Sequence, residues 1–334
     1  MDSVHQLVDE KLRTRLSVPT DGPVDVSAAL GIATELSGHR PGDGHTLDYL
    51  RVLVTLGVVD ASLARIVEPH LDARAILHQA GVPAEEGSTW GVYAAGARGF
   101  GLTAHRGAQG WVLSGTKAWC SLAGRLSHAV VTAEVPGAGQ QAFAVRLDPR
   151  HVEVLPTQWV SRGLVAIPSG PIAVNDLPAT PLGGPGWYLD RPGFGWGGIG
   201  VAAVWFGIAL GVRERVQRHV EEHHASPIAL SQLGSIDEEM FAAQACLLHA
   251  AAAIDDATGS AALLAQRVRA VVARTCENTV RDAGYVLGPG PLVGEESYAR
   301  RVADLTVYLR QHHGPRDLAY LGELVVAAGQ ARRG

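Results

Sequence analysis

Cysteine is scarce in this sequence: Cys120, Cys246 and Cys276 are the only three, far apart and outside any CxxC or Cys/His spacing. That excludes a disulfide framework and an obvious zinc site, and makes a reducing, cytoplasmic setting the expectation. Charge is sparse too, at 18% of residues with a net of -5, and no Lys/Arg-rich run occurs, so no nucleic-acid partner is expected. His223 and His224 lack an i,i+4 partner of ligand type, so no metal is expected. No GxSxG, P-loop or dinucleotide-binding fingerprint appears, because the glycines of 193–200 follow no strand at the right spacing. The opening MDSVHQLVDEKLRTR is polar and carries no apolar segment of the kind a secretory signal needs.

One long apolar run is present. Gly193 to Val212 is 20 residues without a charge, the length of a membrane span. Its first half is glycine-rich and its second half continues into the polar RERVQRHVEEHH, so a buried core helix entered through a flexible turn is the expectation, with no membrane partner.

With 334 residues, 47% of them hydrophobic, the chain can bury a sizeable core. Three textures divide it. Residues 1–87 read as a helical domain, in which Leu63, Ile66, Leu71 and Ile76 share a stripe that Gly81-Val82-Pro83 terminates. In residues 88–182 the period falls to two, in short β-forming runs separated by turns such as Pro136-Gly137 and Asp148-Pro149; a compact barrel or sandwich is expected. Residues 183–334 open with a connector, Gly183 to Gly200, holding eight glycines and two prolines. Four helical stripes then follow, which predict a four-helix bundle. They are Val201/Trp205/Ile208/Val212/Val216/Val220, Met240/Ala243/Leu247/Ala251/Ile254, Leu264/Val268/Val271/Cys276 and Tyr298/Val302/Leu305/Leu309, the last ended by Gly314-Pro315. The fold class is α+β. Trp187, Trp196 and Trp205 cluster near the connector and are read as packing residues.

Particular words accompany this order. LSGTKAWCSLAG, Leu113 to Gly124, has the form of a hairpin Leu-x-Gly-x-Lys leading into Trp-x-Ser/Thr. SPIALSQLG places Pro227, Ile228 and Gln232 at a helix start. LGPGPLVGEESYARRVADLTVYL combines a glycine loop, Gly288 and Gly290, with a helix bearing Arg301 and Asp304. From about residue 50 to 325 the chain resembles the acyl-CoA dehydrogenase superfamily. The resemblance implies an N-terminal helical domain, a central small β-barrel and a C-terminal bundle that together bind FAD. Trp119, Cys120 and Ser121 would line the flavin, where preorganised donors stabilise the negative charge a reduced ring gathers at its pyrimidine edge. Gln232, Gly288 and Gly290 would also touch the cofactor, the glycines by letting backbone N–H groups approach phosphate. In the family this loop meets the FAD of a neighbouring subunit, which implies a homo- or hetero-oligomer.

The sequence departs from the family pattern at three places. The stretch Glu221 to Ala225 stands where the family has an Arg and Phe-Gly before its helix start, and that Arg contacts the pyrophosphate. Counting eight residues from Asp304 to the usual catalytic Glu reaches His312, next to His313. The second family position for that Glu falls near Gly197. Three readings follow. His312 or His313 is the base of a dehydrogenase acting on an acyl thioester or a comparable small molecule, with hydride transfer to flavin N5. Alternatively, the chain is a flavin monooxygenase or N-oxygenase using reduced flavin. The third reading is a non-catalytic subunit of a hetero-oligomeric dehydrogenase.

Overall fold

The computed structural model describes residues 3–16, 22–108, 110–223, 226–331 and 333. Helices come first: α1 (Glu10–Arg15), α2 (Val26–Glu35), α3 (Thr46–Val59) and α4 (Ala61–Gln79). Asp9, Asp25 and Asp60 start α1, α2 and α4, each accepting hydrogen bonds from N–H groups of the first turn that have no helical partner. Leu63, Ile66, Leu71 and Ile76 are all buried on α4, as their spacing predicts.

The middle of the chain is a closed barrel rather than a sandwich. Its strands are β1 (Trp90–Tyr93), β2 (Leu102–Gly107), β3 (Gly110–Ser121), β4 (His128–Val135), β5 (Gly139–Arg146), β6 (Val152–Val154) and β7 (Ser169–Leu182). Pairing runs β4-β2-β3-β7-β5 and returns through β4–β5, a ring of five strands. Outside the ring, β1 lies parallel to β4 and β6 pairs with β7. Alternate residues such as Leu113, Val131, Phe143, Ile172 and Val174 fill the interior.

After the barrel come α5 (Trp187–Asp190), α6 (Pro192–Glu222), α7 (Pro227–Asp255), α8 (Ala261–Leu287), α9 (Gly290–Gly294), α10 (Glu296–Tyr308) and α11 (Pro315–Ala331). The four stripes read from the sequence lie on α6, α7, α8 and α10, and Trp205, Met240, Leu247, Cys276 and Leu305 are wholly enclosed. α6 is long and apolar enough to cross a membrane, but 83% of its most apolar segment is packed inside the protein, against α3, α7 and α8.

Two sequence expectations are corrected. The Gly183–Gly200 stretch is not all connector, because α6 begins at Pro192 and contains five of the glycines. Each helical glycine costs about 1 kcal/mol relative to Ala, but here the missing side chains admit neighbours: a Cβ on Gly195 would stand 2.7 Å from the carbonyl oxygen of Ala261. Likewise Gly314-Pro315 ends the helical stretch before it but starts α11, since proline's fixed φ and missing N–H suit a first helical position.

α10 is held by two of its charged residues. Arg301, half-buried, donates to the carbonyls of Gly57 (2.9 Å), Val58 (2.8 Å) and Val59 (3.2 Å), which end α3 without helical partners. Asp304, buried, accepts from Ser62 Oγ at 3.0 Å and from the Leu164 N–H at 2.5 Å. These bonds tie α10 to α3, α4 and the loop before β7.

Candidate functional site

The end of β3 forms one wall. Its pairing with β7 slips between Lys117 and Cys120, a bulge that re-aims the side chains beyond it. Trp119 there has φ 61° and is 55% exposed. A left-handed backbone at a bulky residue costs on the order of 1–3 kcal/mol and persists only where the surroundings impose it. They do: Tyr93 Oη donates to the Ser121 carbonyl at 3.0 Å, and the Ser121 and Ser169 hydroxyls lie 2.7 Å apart.

Cys120 does not share that wall, which corrects the expectation for it. Strand alternation turns its Sγ into the barrel core, 3.4 Å from the Lys117 carbonyl, and burial pushes the thiol up to about 12. Lys117 is buried in the barrel as well. Its Nζ donates to the Thr132 carbonyl at 2.9 Å and to the Thr132 hydroxyl at 2.8 Å, and burial lowers its pKa.

Two openings flank the wall. A cavity of about 320 Å³ is lined by Ala95, Phe100, Ala118, Gln141, Tyr188 and Leu189, within the range of small-molecule sites. On the other side a narrow gap of about 20 Å³ separates Ser121 and Tyr93 from Arg65 and Pro69 of α4.

On the side of α4 turned to α6 and α10 stand two carboxylates one helical turn apart, Glu68 and Asp72. Glu68 is buried and accepts from Tyr308 Oη at 3.1 Å, with Arg65 Nη1 at 3.9 Å; burial raises its pKa to about 7. Asp72 is half-buried, its pKa is raised by burial against the pull of Arg191, and it accepts no hydrogen bond among the described residues. At Gly197, where the resemblance looks for a carboxylate, a Cβ would stand 2.7 Å from Asp72 Oδ1. Tyr49 of α3 is 1% exposed, and its hydroxyl has no partner among the described residues.

Arg269 of α8 joins this region to the turn after α10. It donates to the Gly198 carbonyl at 3.0 Å and to the Gln311 carbonyl at 2.9 Å, and lies 4.8 Å above the Trp205 ring, which meets Tyr308 edge-on. His312 follows, half-buried, with Nε2 unpartnered among the described residues and its pKa lowered chiefly by burial. His313 is exposed and turned to Asp317, whose carboxylate is 3.4 Å from Nδ1 and accepts the His313 N–H at 3.0 Å.

Trp119 and Ser121 thus share the end of β3, Arg269 ties the His312 turn to α6, and the other expected cofactor residues lie elsewhere. Gln232 lies half-buried on the second turn of α7, beyond the far end of α6. Gly288, at φ 62°, caps α8, and Gly290 opens α9, at that same far end. The 31 residues of α6 span roughly 45 Å between the two places. Sequence reasoning missed Glu68, Asp72, Tyr49 and Arg269. The available signal was charge at positions 65, 68 and 72, recurring at helical steps within an otherwise apolar stretch. Among the described residues no group of three or more His, Cys, Asp or Glu could hold a metal ion.

No protein-family model matches the sequence, and no curated protein matches it. Solved structures do. KijD3 in complex with FMN and dTDP-3-amino-2,3,6-trideoxy-4-keto-3-methyl-D-glucose superimposes with a TM-score of 0.77 at 18% identity, covering 98% of this chain and 94% of that one. FMN-bound TdsC from Paenibacillus sp. A11-2 gives 0.78 at 15% identity, covering 98% and 97%. Glutaryl-CoA dehydrogenase from Mycobacterium smegmatis in complex with FADH2 gives 0.75 at 16% identity, covering 97% and 93%. The chain has the acyl-CoA dehydrogenase fold.

Proposed function

We propose that this chain is a flavin-dependent oxidoreductase acting next to the carbonyl of an acyl thioester or a comparably activated small molecule. The observation that carries the reading is Trp119, a large aromatic side chain held in a strained backbone and mostly uncovered, directly after Ala118 of the cavity wall. Strain and exposure together are unfavourable in the chain alone and are offset when a flat ring covers the indole. The bonded pair Ser121 and Ser169 holds a hydroxyl at the same wall, where it can meet a polar ring edge. The donor set fits the ring of a flavin, which supplies a two-electron acceptor when bound. Trp119 and Ser121 would hold it, while Phe100 and Leu189 limit water at the cavity.

FAD is the form we propose, as the resemblance implies; FMN complexes among the structures of this fold make the nucleotide tail part of the test. An oligomer is proposed with it. α11 has no buried residue while Leu318, Val325 and Val326 are exposed, and Gln232, Gly288 and Gly290 lie too far from Trp119 to serve the same cofactor's ring within one chain. A cytoplasmic location belongs to the same proposal. A second reading, an oxygenase using reduced flavin, is favoured by one observation, the half-buried His312 imidazole with an unpartnered Nε2 among the described residues. Oxygen uptake with free reduced flavin supports it.

The test of the main reading is the visible spectrum of the purified protein, with the released cofactor identified. Trp119→Ala is expected to lose flavin while its far-UV circular dichroism stays unchanged, because the side chain is not part of a core. A colourless protein that gains no flavin on reconstitution overturns the reading and leaves a non-catalytic subunit.

A further inference from the structure

Lys117 is a buried cation without an anion beside it. The sequence uses lysine only at Lys11 and Lys117, every other one of its 28 Lys and Arg residues being arginine. Lys11 is exposed on α1, whereas Lys117 on β3 is 7% exposed. Of the described residues that line the cavity of about 320 Å³, Lys117 alone is charged. Its Nζ reaches from β3 to β4 and donates to the Thr132 carbonyl at 2.9 Å and the Thr132 hydroxyl at 2.8 Å. That hydroxyl donates onward to the Ala94 carbonyl at 3.2 Å. Thr132 and Ala94 line the same cavity, which places the amine at its wall. An ammonium carries three N–H donors, and the described residues accept from only two of them. Burial lowers the pKa of Lys117, and no carboxylate among the described residues stands close enough to oppose it; the Cys120 thiol, held at about 12, is neutral at pH 7. A buried charge held by neutral dipoles alone is costly, and a counter-charge ordinarily offsets it.

We infer that the Lys117 ammonium is an anchor for an anionic group, and that this cavity takes a small carboxylate with an apolar body. The carboxylate accepts the third N–H and supplies the missing charge, while Phe100, Leu102 and Leu189 cover the body. A carboxylate fits better than a phosphate ester, because the cavity offers one cation and a phosphate ester carries about two charges at pH 7. Lys117 is thereby a specificity residue. A neutral molecule of the same shape would leave the ammonium buried and unpaired, so the site selects against it. Calling the ligand a substrate rests on the functional reading above; its binding at Lys117 needs no flavin.

The test is calorimetric titration of the protein as isolated with 3-phenylpropanoate and with its uncharged isostere 3-phenylpropanamide, the flavin content being read from absorbance. The wild-type protein is expected to bind the carboxylate about 10–100-fold more tightly than the amide, the range for a hydrogen bond between charged groups. Lys117→Met should abolish that preference, weakening the carboxylate while the amide stays within about twofold of wild type. No binding of the carboxylate by the wild-type protein, equal affinity for acid and amide, or a preference that survives in Lys117→Met overturns the inference. If Lys117→Met does not fold, acetic anhydride labelling of the wild-type protein, read by mass spectrometry, decides. The carboxylate should protect Lys117 and not Lys11, and the amide at the same concentration should protect neither. Lys117 that labels equally with and without the carboxylate, or that labels only in denaturant, overturns the inference as well. Preference for the carboxylate in a flavin-free protein keeps the inference while the flavin reading fails, and bound flavin without that preference does the reverse.

Discussion

Replacing Glu68 by Gln is expected to stabilise the protein at pH 8 and to leave it unchanged at pH 4. Glu68 is 5% exposed, and burial lifts its carboxyl from 4.5 to about 7 despite Arg65 and the Tyr308 hydrogen bond. A carboxyl whose folded pKa is raised binds its proton more tightly in the folded chain. Its favourable contribution is complete below 4.5, declines as pH rises between 4.5 and 7, and is gone above the folded value. The interval corresponds to roughly 3 kcal/mol. Glutamine keeps the shape and can accept the Tyr308 hydrogen bond, but never ionises. Urea unfolding at pH 4, 6 and 8 measures the difference. Glu68→Gln should gain most of that roughly 3 kcal/mol at pH 8, about half of it near pH 6, and nothing at pH 4. Equal destabilisation at all three values would refute the reasoning, because Glu68 would then be ionised throughout and its pairing with Arg65 would outweigh its burial.

Three further outcomes are expected. Arg301→Met should destabilise the protein by about 3 kcal/mol, seen as a lower urea midpoint, because three carbonyls at the end of α3 lose a charged donor. At pH 8 a disulfide reagent should label only Cys246 in the folded protein and all three cysteines in denaturant, since burial holds Cys120 at about 12 and encloses Cys276; rapid native labelling of Cys120 would place it outside the barrel core. Val326→Glu, on the uncovered face of α11, should shift light-scattering mass toward a single chain.

The fold was legible because its signals are periodic. The period-two runs of 88–182 became a closed ring, and the stripes through Trp205, Leu247, Val268 and Leu305 became the bundle. The hairpin ending at Trp119 and Ser121 was legible too, since alternation and turn chemistry are local. Alternation also decides the fate of Cys120: between two outward neighbours on a strand, its side chain faces inward. What could not be read was the partnership of α4 with α6, about 125 residues apart in the chain. Pairing over that distance depends on tertiary packing, and neither charge spacing nor helix propensity encodes it.

The glycines of α6 show how that information was hidden. Read locally, Gly193 to Gly200 weaken a helix and suggest a connector. Read in the folded chain, Gly197 and Gly200 are positions where a side chain is absent so that another element can supply one: Asp72 from α4 and the Tyr49 hydroxyl from α3. A carboxylate thus does stand beside Gly197, carried by a different helix. Gly197→Ala tests how firmly Asp72 is held, because the nearest atoms to the added Cβ all belong to Asp72, while the helix itself gains about 1 kcal/mol of propensity. Urea unfolding is the measurement: a midpoint at or above wild type shows that the carboxylate swings aside and the propensity gain prevails, whereas a lower midpoint shows that α4 and α6 hold Asp72 in place.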